Sequence, residues 1–245
     1  MLRSEDAEVR REVVLTLGDI GNREAVQMLR EDLRHDMSAD VRISAEAALG
    51  KVGGNEALQA VSMALHNDTS DRVRLGAEEA LHTIGGEAAL EALHEAERRD
   101  SSDDVRFGAV KILSGMGGPA GLDVLREAME HDKSAKVRSG AVKLLGGLNV
   151  PEAMHLLVAA LRKDTSSVVR RIVVEALGRR GGAGARAALA EALQVDASPA
   201  VRRGAVQVLG NLSGAEALPA LISALRNDTD SRVRCGAAAA LSTIG

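Results

Sequence analysis

The sequence predicts an all-α protein in which one helix hairpin is repeated along the whole chain. Three observations carry this prediction: a Val-Arg pair every 32 residues, a leucine eight residues after each valine, and glycines at regular positions between apolar stretches. A period maintained seven times in succession without insertion or deletion is the signature of a stacked repeat architecture. The Val-Arg pairs begin at Val9, Val41, Val73, Val105, Val137, Val169, Val201 and Val233.

The first helix of each repeat, helix A, is predicted to start at a serine or aspartate three residues before the valine, because these side chains cap helix N-termini. The valine, a small residue four positions later and the leucine then share one helix face. Helix A is predicted to end at a left-handed glycine such as Gly50 or Gly178, with the turn marked by Gly53 or Gly181. The repeats start near residues 6, 38, 70, 102, 134, 166, 198 and 230.

The second helix, helix B, follows the glycines. In the segment "NEALQAVSMALHND", Leu58, Val61 and Leu65 recur at helical spacing. A hairpin of this kind cannot bury its apolar faces alone, so the hairpins must stack into a solenoid with a continuous core. We therefore predict eight A helices and seven B helices, about 15 in all, in a single solenoid over residues 1–245 with a final half repeat at 230–245.

The repeat "VRRGAVQVLGNLSGAEALPALISALRNDTDSR" resembles the HEAT-like repeat of phycobilin lyase subunits and many prokaryotic proteins. The resemblance rests on "VR..A...LG" in helix A, "EAL.AL" in helix B and the aspartate after helix B, and it covers essentially the whole chain. It implies a right-handed α–α superhelix. It also implies that the recurring arginine and aspartate are structural residues that link neighbouring repeats.

Composition argues against catalysis, metals and cofactors. With one Phe and no Trp or Tyr, the chain lacks the stacking side chains of single-strand nucleic-acid sites and of HEAT-like DNA glycosylases. Its single cysteine, Cys235, excludes a cysteine zinc site. One His-Glu pair, His94-Glu95, is too little for the iron site of deoxyhypusine hydroxylase. We therefore predict no enzyme activity, no catalytic residue, no metal site and no cofactor.

Candidate binding residues are those that break the repeat's own pattern. Arg180 and Arg186 each stand alone in an otherwise apolar column, as does Glu97 near the end of a B helix. A buried unpaired charge is costly, so each arginine must reach solvent, a carboxylate or a ligand. The alternative to a site is that long side chains reach solvent from a loosened loop. The tentative partner-binding residues are Arg179, Arg180, Arg186, Arg162 and Arg171.

Charge is segregated along the chain. Residues 1–128 hold 15 basic and 25 acidic side chains, and residues 129–245 hold 16 and 10. This favours steering by complementary surfaces or head-to-tail self-association. A final helix A without its helix B would leave Ala237, Ala240, Leu241 and Ile244 uncovered, which also suggests self-association. Nucleic acid is not an expected partner, because the acidic half repels phosphate.

We interpret the chain as a non-catalytic scaffold that binds a protein partner along a concave surface of B helices. No apolar run is long enough to span a membrane and no signal peptide is evident, so we expect a cytoplasmic protein. Two alternatives stay open: a designed or excised repeat array without a natural ligand, and a subunit of a bilin lyase or chaperone-like complex. The strict period suits design or recent duplication, whereas the scattered departures suit natural origin.

Overall fold

A computed structural model describes residues 5–212 and 215–244. This part of the chain contains fifteen α-helices and no strand, with A and B helices in alternation. The A helices are α1 (Ala7–Ile20), α3 (Ala39–Val52), α5 (Asp71–Ile84), α7 (Asp103–Gly115), α9 (Ala135–Gly147), α11 (Ser167–Arg180), α13 (Pro199–Asn211) and α15 (Ser231–Ile244). The B helices are α2 (Arg23–His35), α4 (Gly54–Asn67), α6 (Glu87–Arg99), α8 (Gly118–His131), α10 (Pro151–Lys163), α12 (Gly182–Val195) and α14 (Leu218–Asn227), the last preceded by a 3₁₀ turn at Ala215–Ala217.

The helices form two compact units, one up to Gly121 and one from Leu122 onward. In both, an A helix packs against the A helix of the next repeat and against the B helices that flank it. In the first unit, α3 contacts α1, α2, α4 and α5, and in the second unit α11 contacts α9, α10, α12 and α13. Contacts therefore run between sequence neighbours, and the predicted all-α solenoid of helix hairpins is confirmed.

The recurring apolar residues form the core. In α3, Val41, Ala45 and Leu49 are at most 1% exposed, and Val61 and Leu65 of α4 are equally buried. Each buried valine or leucine contributes roughly 1.5–3 kcal/mol relative to an exposed one. Because the same positions repeat every 32 residues, each hairpin within a unit continues the core of the one before it.

The recurring arginine and aspartate form a bidentate ion pair, here called the latch. Arg42 donates from Nε and Nη2 to Asp68 at 2.7 and 2.9 Å, and its Nη1 donates to the carbonyl of Asp36 at 2.9 Å. One guanidinium thus joins a helix A to the loops before it and after the next helix B, as the family resemblance implies. Latches of this form are Arg10–Asp36, Arg42–Asp68, Arg74–Asp100, Arg138–Asp164, Arg170–Asp196 and Arg202–Asp228.

The predicted serines occupy the N-cap positions, but for most A helices the predicted hydrogen bond from the helix backbone to the serine side chain is absent. Ser38, Ser70 and Ser166 occupy the N-cap position, but their side chains accept no hydrogen bond from the helix backbone. Instead the latch aspartate accepts from the N–H of the serine two residues later, as Asp36 does from Ser38 at 2.8 Å. Such a turn closed by an aspartate side chain sets the chain's entry into the helix. The aspartate therefore serves both the latch and the helix start.

The two glycine columns also differ from the prediction. Gly210 lies inside helix α13, not at a left-handed C-cap, and a Cβ atom placed there would lie 2.8 Å from the Cβ of Ala240 on α15. The positive φ angle occurs instead three positions later than the predicted glycines Gly50 and Gly178. It is 72° at Gly53 and 65° at Gly181. The first glycine therefore permits close approach of consecutive A helices, and the second ends helix A.

This assignment predicts opposite effects for two glycines. Gly210→Ala is expected to lower the free energy of unfolding by about 1–2 kcal/mol, because the added methyl group overpacks the α13–α15 contact. Gly147→Ala is expected to be neutral or to stabilise by up to about 1 kcal/mol, because nothing lies within 4 Å of its Cβ position. Urea denaturation followed by circular dichroism measures both. Equal effects of the two changes would contradict the close-approach role.

The apolar face of the last helix was expected to be uncovered at four positions. The structure shows that two of them, Ala237 and Ala240, are buried. Helix α15 packs on α13 and α14, with Ala237 at 0% and Ala240 at 8% exposure, and Leu241 is half-buried. The side chain of Ile244 lies outside the described part of the chain. These positions face the preceding hairpin, which already covers them. The exposed residues in the described part of α15 are all small or polar: Ser231, Arg232, Cys235, Ala238, Ala239, Ser242 and Thr243.

Candidate partner-binding grooves

Grooves lie between consecutive B helices inside each unit. In the first unit, a groove of about 170 Å³ separates α2 from α4. In the second unit, grooves of about 400 and 470 Å³ separate α8 from α10 and α10 from α12. They are lined by the C-terminal halves of the B helices, so they recur at one position of the repeat.

The three grooves share one construction. Alanines line the floor, such as Ala60 and Ala64 in the first groove and Ala159 and Ala160 in the second. Their small side chains leave space between helices that larger residues would fill. A latch aspartate closes one end of each groove. Apolar concave surfaces with a few polar groups at the rim are the usual form of binding sites.

Ion pairs cross the B-helix surface between residues 29 positions apart. Arg162 donates to Glu191 across the α10–α12 groove, with Nη2 2.6 Å from Oε2. His66 Nε2 lies 2.8 Å from Glu95 Oε2, which joins α4 to α6. Hydrogen bonding to the Ser62 carbonyl and then to Glu95 raises the pKa of His66. In the same register Arg34 meets Met63, whose Sδ lies 3.8 Å from Nη2.

The five arginines predicted as a site have separate positions and partners. Arg162 lies on α10 and lines a groove, and Arg186 lies near the start of α12 with Nε 2.6 Å from Glu216 Oε2. The other three lie on the A helix α11: Arg171 pairs with Glu175, and Arg179 is exposed. Arg180 donates to the backbone carbonyls of the α9–α10 loop. The structure does not bring the five side chains together at one ligand position.

Arg180 pairs with backbone carbonyls, not with the solvent, carboxylate or ligand that the sequence analysis required, and its buried Nε has no hydrogen-bond partner among the described residues. Its Nη1 donates to the carbonyl of Leu148, and its Nη2 donates to the carbonyl of Val150 at 2.9 Å. Leu148 is the C-cap of α9, where backbone carbonyls lack helix partners. Val150 is the N-cap of α10, and its carbonyl also accepts from the N–H of Ala153 at 3.2 Å. Arg180 therefore fixes the turn of the preceding hairpin.

We predict that Arg180→Ala destabilises the second unit by about 1–2 kcal/mol, because two charge-assisted hydrogen bonds are lost. Hydrogen exchange should accelerate at residues 148–150. The adjacent Arg179→Ala is the matched control and should change stability by less than about 0.5 kcal/mol, because Arg179 is exposed. Urea denaturation with hydrogen-exchange mass spectrometry tests this pair. No change in either measurement for Arg180→Ala would contradict the assigned role.

Two buried glutamates were missed by sequence reasoning. Glu46 and Glu78 are 0% and 1% exposed, and both oxygens of Glu46 and one of Glu78 lack a hydrogen-bond partner. Burial, and then the nearby charges of Asp68 and Asp100 respectively, raise the pKa of each to about 9. The signal was available in the repeat, since the position five residues after the recurring valine is otherwise apolar. It holds Val14, Glu46, Glu78, Val110, Val142, Val174, Val206 and Ala238.

The family of the chain follows from its match to a sequence model. A model described as HEAT repeats matches residues 1–82, 79–145, 127–197 and 186–245, which together span the chain. The chain belongs to the HEAT repeat family. The latches, the glycine contacts between A helices and the B-helix grooves are thus features of a HEAT solenoid. The resemblance seen in the sequence is confirmed.

Solved structures resemble this HEAT protein in fold. A chain from the complex of Kap95p with RanGDP gives a TM-score of 0.63 at 16% identity, over 96% of this chain and 37% of that one. Human deoxyhypusine hydroxylase gives 0.45 at 24% identity, covering 98% and 91%. The CpcE–CpcF phycocyanin lyase of Nostoc sp. PCC7120 gives 0.44 at 21%, covering 90% of each chain. Comparison with curated proteins finds no match.

The described residues contain neither a cluster of metal-ligating side chains nor a membrane-spanning helix. Among residues 5–212 and 215–244 of the HEAT chain, no group of three or more His, Cys, Asp and Glu side chains is placed to hold a metal ion. Within those same residues, no helix has the length and apolar character needed to cross a bilayer.

Proposed function

We propose that this HEAT protein is a non-catalytic scaffold that binds a partner protein along its B-helix surface. The observation that carries the proposal is the presence of alanine-floored grooves with polar rims between consecutive B helices, one in the first unit and two in the second. An extended or helical segment lying across B helices would place side chains into such grooves at regular intervals. The Kap95p–RanGDP structure supports this only to the extent that its fold is the same.

The chemistry of the rims suggests the character of the partner. The grooves are bordered by charges of both signs, such as Arg30 and Glu31 in the first and Arg126 and Glu130 in the second. The chain has no Trp or Tyr to act as an anchor. Because aromatic anchors carry much of the energy of tight interfaces, affinity here is expected to be moderate and to depend on charge complementarity.

Filling the grooves tests the proposal. Ala64→Lys and Ala160→Lys each place a long side chain into a groove from a half-buried position. A protein captured from source-cell extract by the wild type is purified, and its affinity is measured by calorimetry. We expect at least one variant to weaken binding tenfold or more, or about 1.4 kcal/mol. Circular dichroism confirms that the variants fold.

Ala239→Lys is the matched control, because Ala239 is an exposed alanine on the A helix α15. It should change the affinity by less than about twofold, which is well under 1 kcal/mol. The proposal is overturned if no partner is captured, if both groove variants bind like the wild type, or if the control weakens binding as much as they do. It is supported when the loss is confined to the groove variants.

A further inference from the structure

Arg34 lacks the carboxylate that its register predicts. At two other interfaces the residue 29 positions after the cation is a glutamate, Glu95 for His66 and Glu191 for Arg162. Opposite Arg34 stands Met63, and the one hydrogen bond of the Arg34 side chain within the described residues is a weak contact with that sulfur. Its guanidinium is therefore exposed at the groove rim and has no anionic partner in the described residues.

The nearest carboxylates of the α2–α4 groove are engaged elsewhere. Asp68 accepts from Arg42 in a latch. Glu31 lies 3.7 Å from His35 on its own helix, and Glu56 lies 3.6 Å from Arg30 and accepts from Gln27. A second cation, Arg30, thus stands on the same rim. Of the two cations that line the groove, Arg34 is the one without a carboxylate partner in the described residues, so it is the position at which an anion is favoured.

The floor beside Arg34 accepts hydrocarbon. Leu33, Ala60, Met63 and Ala64 line a space of about 170 Å³, and a cavity of about 150 Å³ is large enough to hold benzene. Met63 is 49% exposed. Methionine adapts its shape to varied apolar neighbours. A carboxylate carried on a hydrocarbon side chain would gain both an ion pair with Arg34 and apolar contact with the groove. Inorganic phosphate would gain the ion pair alone.

We propose that the groove between α2 and α4 binds an acidic side chain of a partner peptide segment. An aspartate or glutamate of the partner pairs with Arg34, in the place that Glu95 and Glu191 hold at other interfaces, and the apolar neighbours of that residue lie on Met63 and Ala60. The guanidinium fork suits a carboxylate in two-point contact. This inference rests on the proposed scaffold function and names the chemistry that one groove selects.

Selection from a random library of displayed dodecapeptides tests the inference with the full chain. The decisive variant is Met63→Glu, which places a carboxylate opposite Arg34 in the register of Glu95 and Glu191 and so occupies the site from within the chain. Arg34→Gln removes the cation without adding bulk. Arg72→Gln is the matched control, because Arg72 is an exposed arginine of the first unit that lies on the A helix α5, outside the grooves, and pairs with Asp40. Thermal melting confirms that all three variants fold.

We expect the selected peptides to be enriched in Asp or Glu next to apolar residues. Each should lose at least tenfold in affinity with Met63→Glu, with Arg34→Gln, or when its own acidic residue is changed to the amide. Arg72→Gln should change the affinity less than twofold. Selection of no peptides, of peptides without acidic residues, or of peptides that bind Met63→Glu as well as the wild type would overturn the inference.

The outcomes also separate this inference from the scaffold proposal. Peptides that bind Met63→Glu like the wild type but lose affinity with Ala160→Lys would uphold groove binding and refute the role of Arg34. Peptides whose affinity is unchanged by every groove variant would refute both.

Discussion

Replacement of Glu46 and Glu78 by valine is expected to stabilise the first unit by about 3 kcal/mol per site at pH 7. In the folded protein burial raises the pKa of each carboxyl from 4.5 to about 9, so each must take up a proton that the unfolded chain has released. The free-energy cost of that proton uptake at pH 7 gives the value of about 3 kcal/mol, since each pH unit above the unfolded-state pKa of 4.5 costs about 1.4 kcal/mol. Valine occupies the same column elsewhere, as at Val174, which is fully buried.

Space for valine is present in the fold. A Cβ at Gly76 would meet Glu46 Oε2 at 2.5 Å, so the glycine provides the room that the larger side chain of Glu46 requires. At the equivalent contact in the second unit, Gly204 faces Val174 with an ordinary spacing of 3.4 Å. Valine therefore fits this pairing without overpacking. Urea denaturation of Glu46→Val, Glu78→Val and the double variant measures the gain.

The pH dependence has a definite sign. Because the folded-state pKa is raised, the contribution of each glutamate to stability is fully present below about pH 4.5 and is lost as pH rises to about 9. In that window each should lower stability by about 1.4 kcal/mol per pH unit. The groups near Glu46 are Asp68 and Arg42, and those near Glu78 are Asp100 and Glu79. Glu46→Gln and Glu78→Gln should remove the slope.

Glu79→Gln serves as control, since Glu79 is exposed beside buried Glu78. Its stability should follow that of the wild type within about 0.5 kcal/mol at every pH. Equal stability of the wild type and the double valine variant at pH 8 would refute the protonated state of the two glutamates. So would a wild-type stability that stays constant from pH 5 to pH 8.5.

Loss of one latch is the second large effect expected. In Asp228→Ala, Arg202 keeps its buried position but loses its partners at 2.8 and 2.9 Å, with the two side chains only 10% and 5% exposed. Removing one member of a buried ion pair costs about 3–5 kcal/mol. The N–H of Asp230 loses its acceptor as well. We expect a loss of about 3 kcal/mol in urea denaturation, with faster hydrogen exchange at the start of α15.

The latches also predict loss of stability in acid. Hydrogen bonds from Arg202 lower the pKa of Asp228, and those from Arg10 lower the pKa of Asp36. For a lowered pKa the stabilisation is present above the unfolded value of 3.8 and is lost as pH falls through the folded value. The difference in stability between the wild type and Asp228→Ala should therefore narrow as pH falls below 3.8.

An exposed ion pair provides the comparison for the latch. Asp19 lies 2.6 Å from Lys51, but the two side chains are 73% and 68% exposed. Asp19→Ala should cost less than about 1 kcal/mol, because solvent screens such pairs. If Asp228→Ala costs no more than Asp19→Ala, the latch is a surface contact and not a structural link between repeats.

The sequence by itself determined the repeat, the helix order, the core and the latch columns. These follow from periodicity, because a residue type that returns every 32 positions reports a demand that every hairpin makes, such as the burial of Val41 and Leu49. The family was readable for the same reason. The helix starts near residues 6, 38, 70, 102, 134, 166, 198 and 230 agree with the structure to within one or two residues.

The tertiary structure alone decided which partner each unusual residue meets. Arg180 bonds to carbonyls about 30 residues earlier, Arg186 pairs with Glu216, and Gly210 packs on Ala240. In each case the deciding neighbour belongs to another repeat, and its distance depends on how closely the helices stack. A column marks Glu46 as exceptional, but solvent access, cavity space and hydrogen-bond partners exist only once hairpins are packed. That is why three features could be recognised only in the folded structure: the grooves, the absence of a carboxylate partner for Arg34 among the described residues, and the buried glutamates.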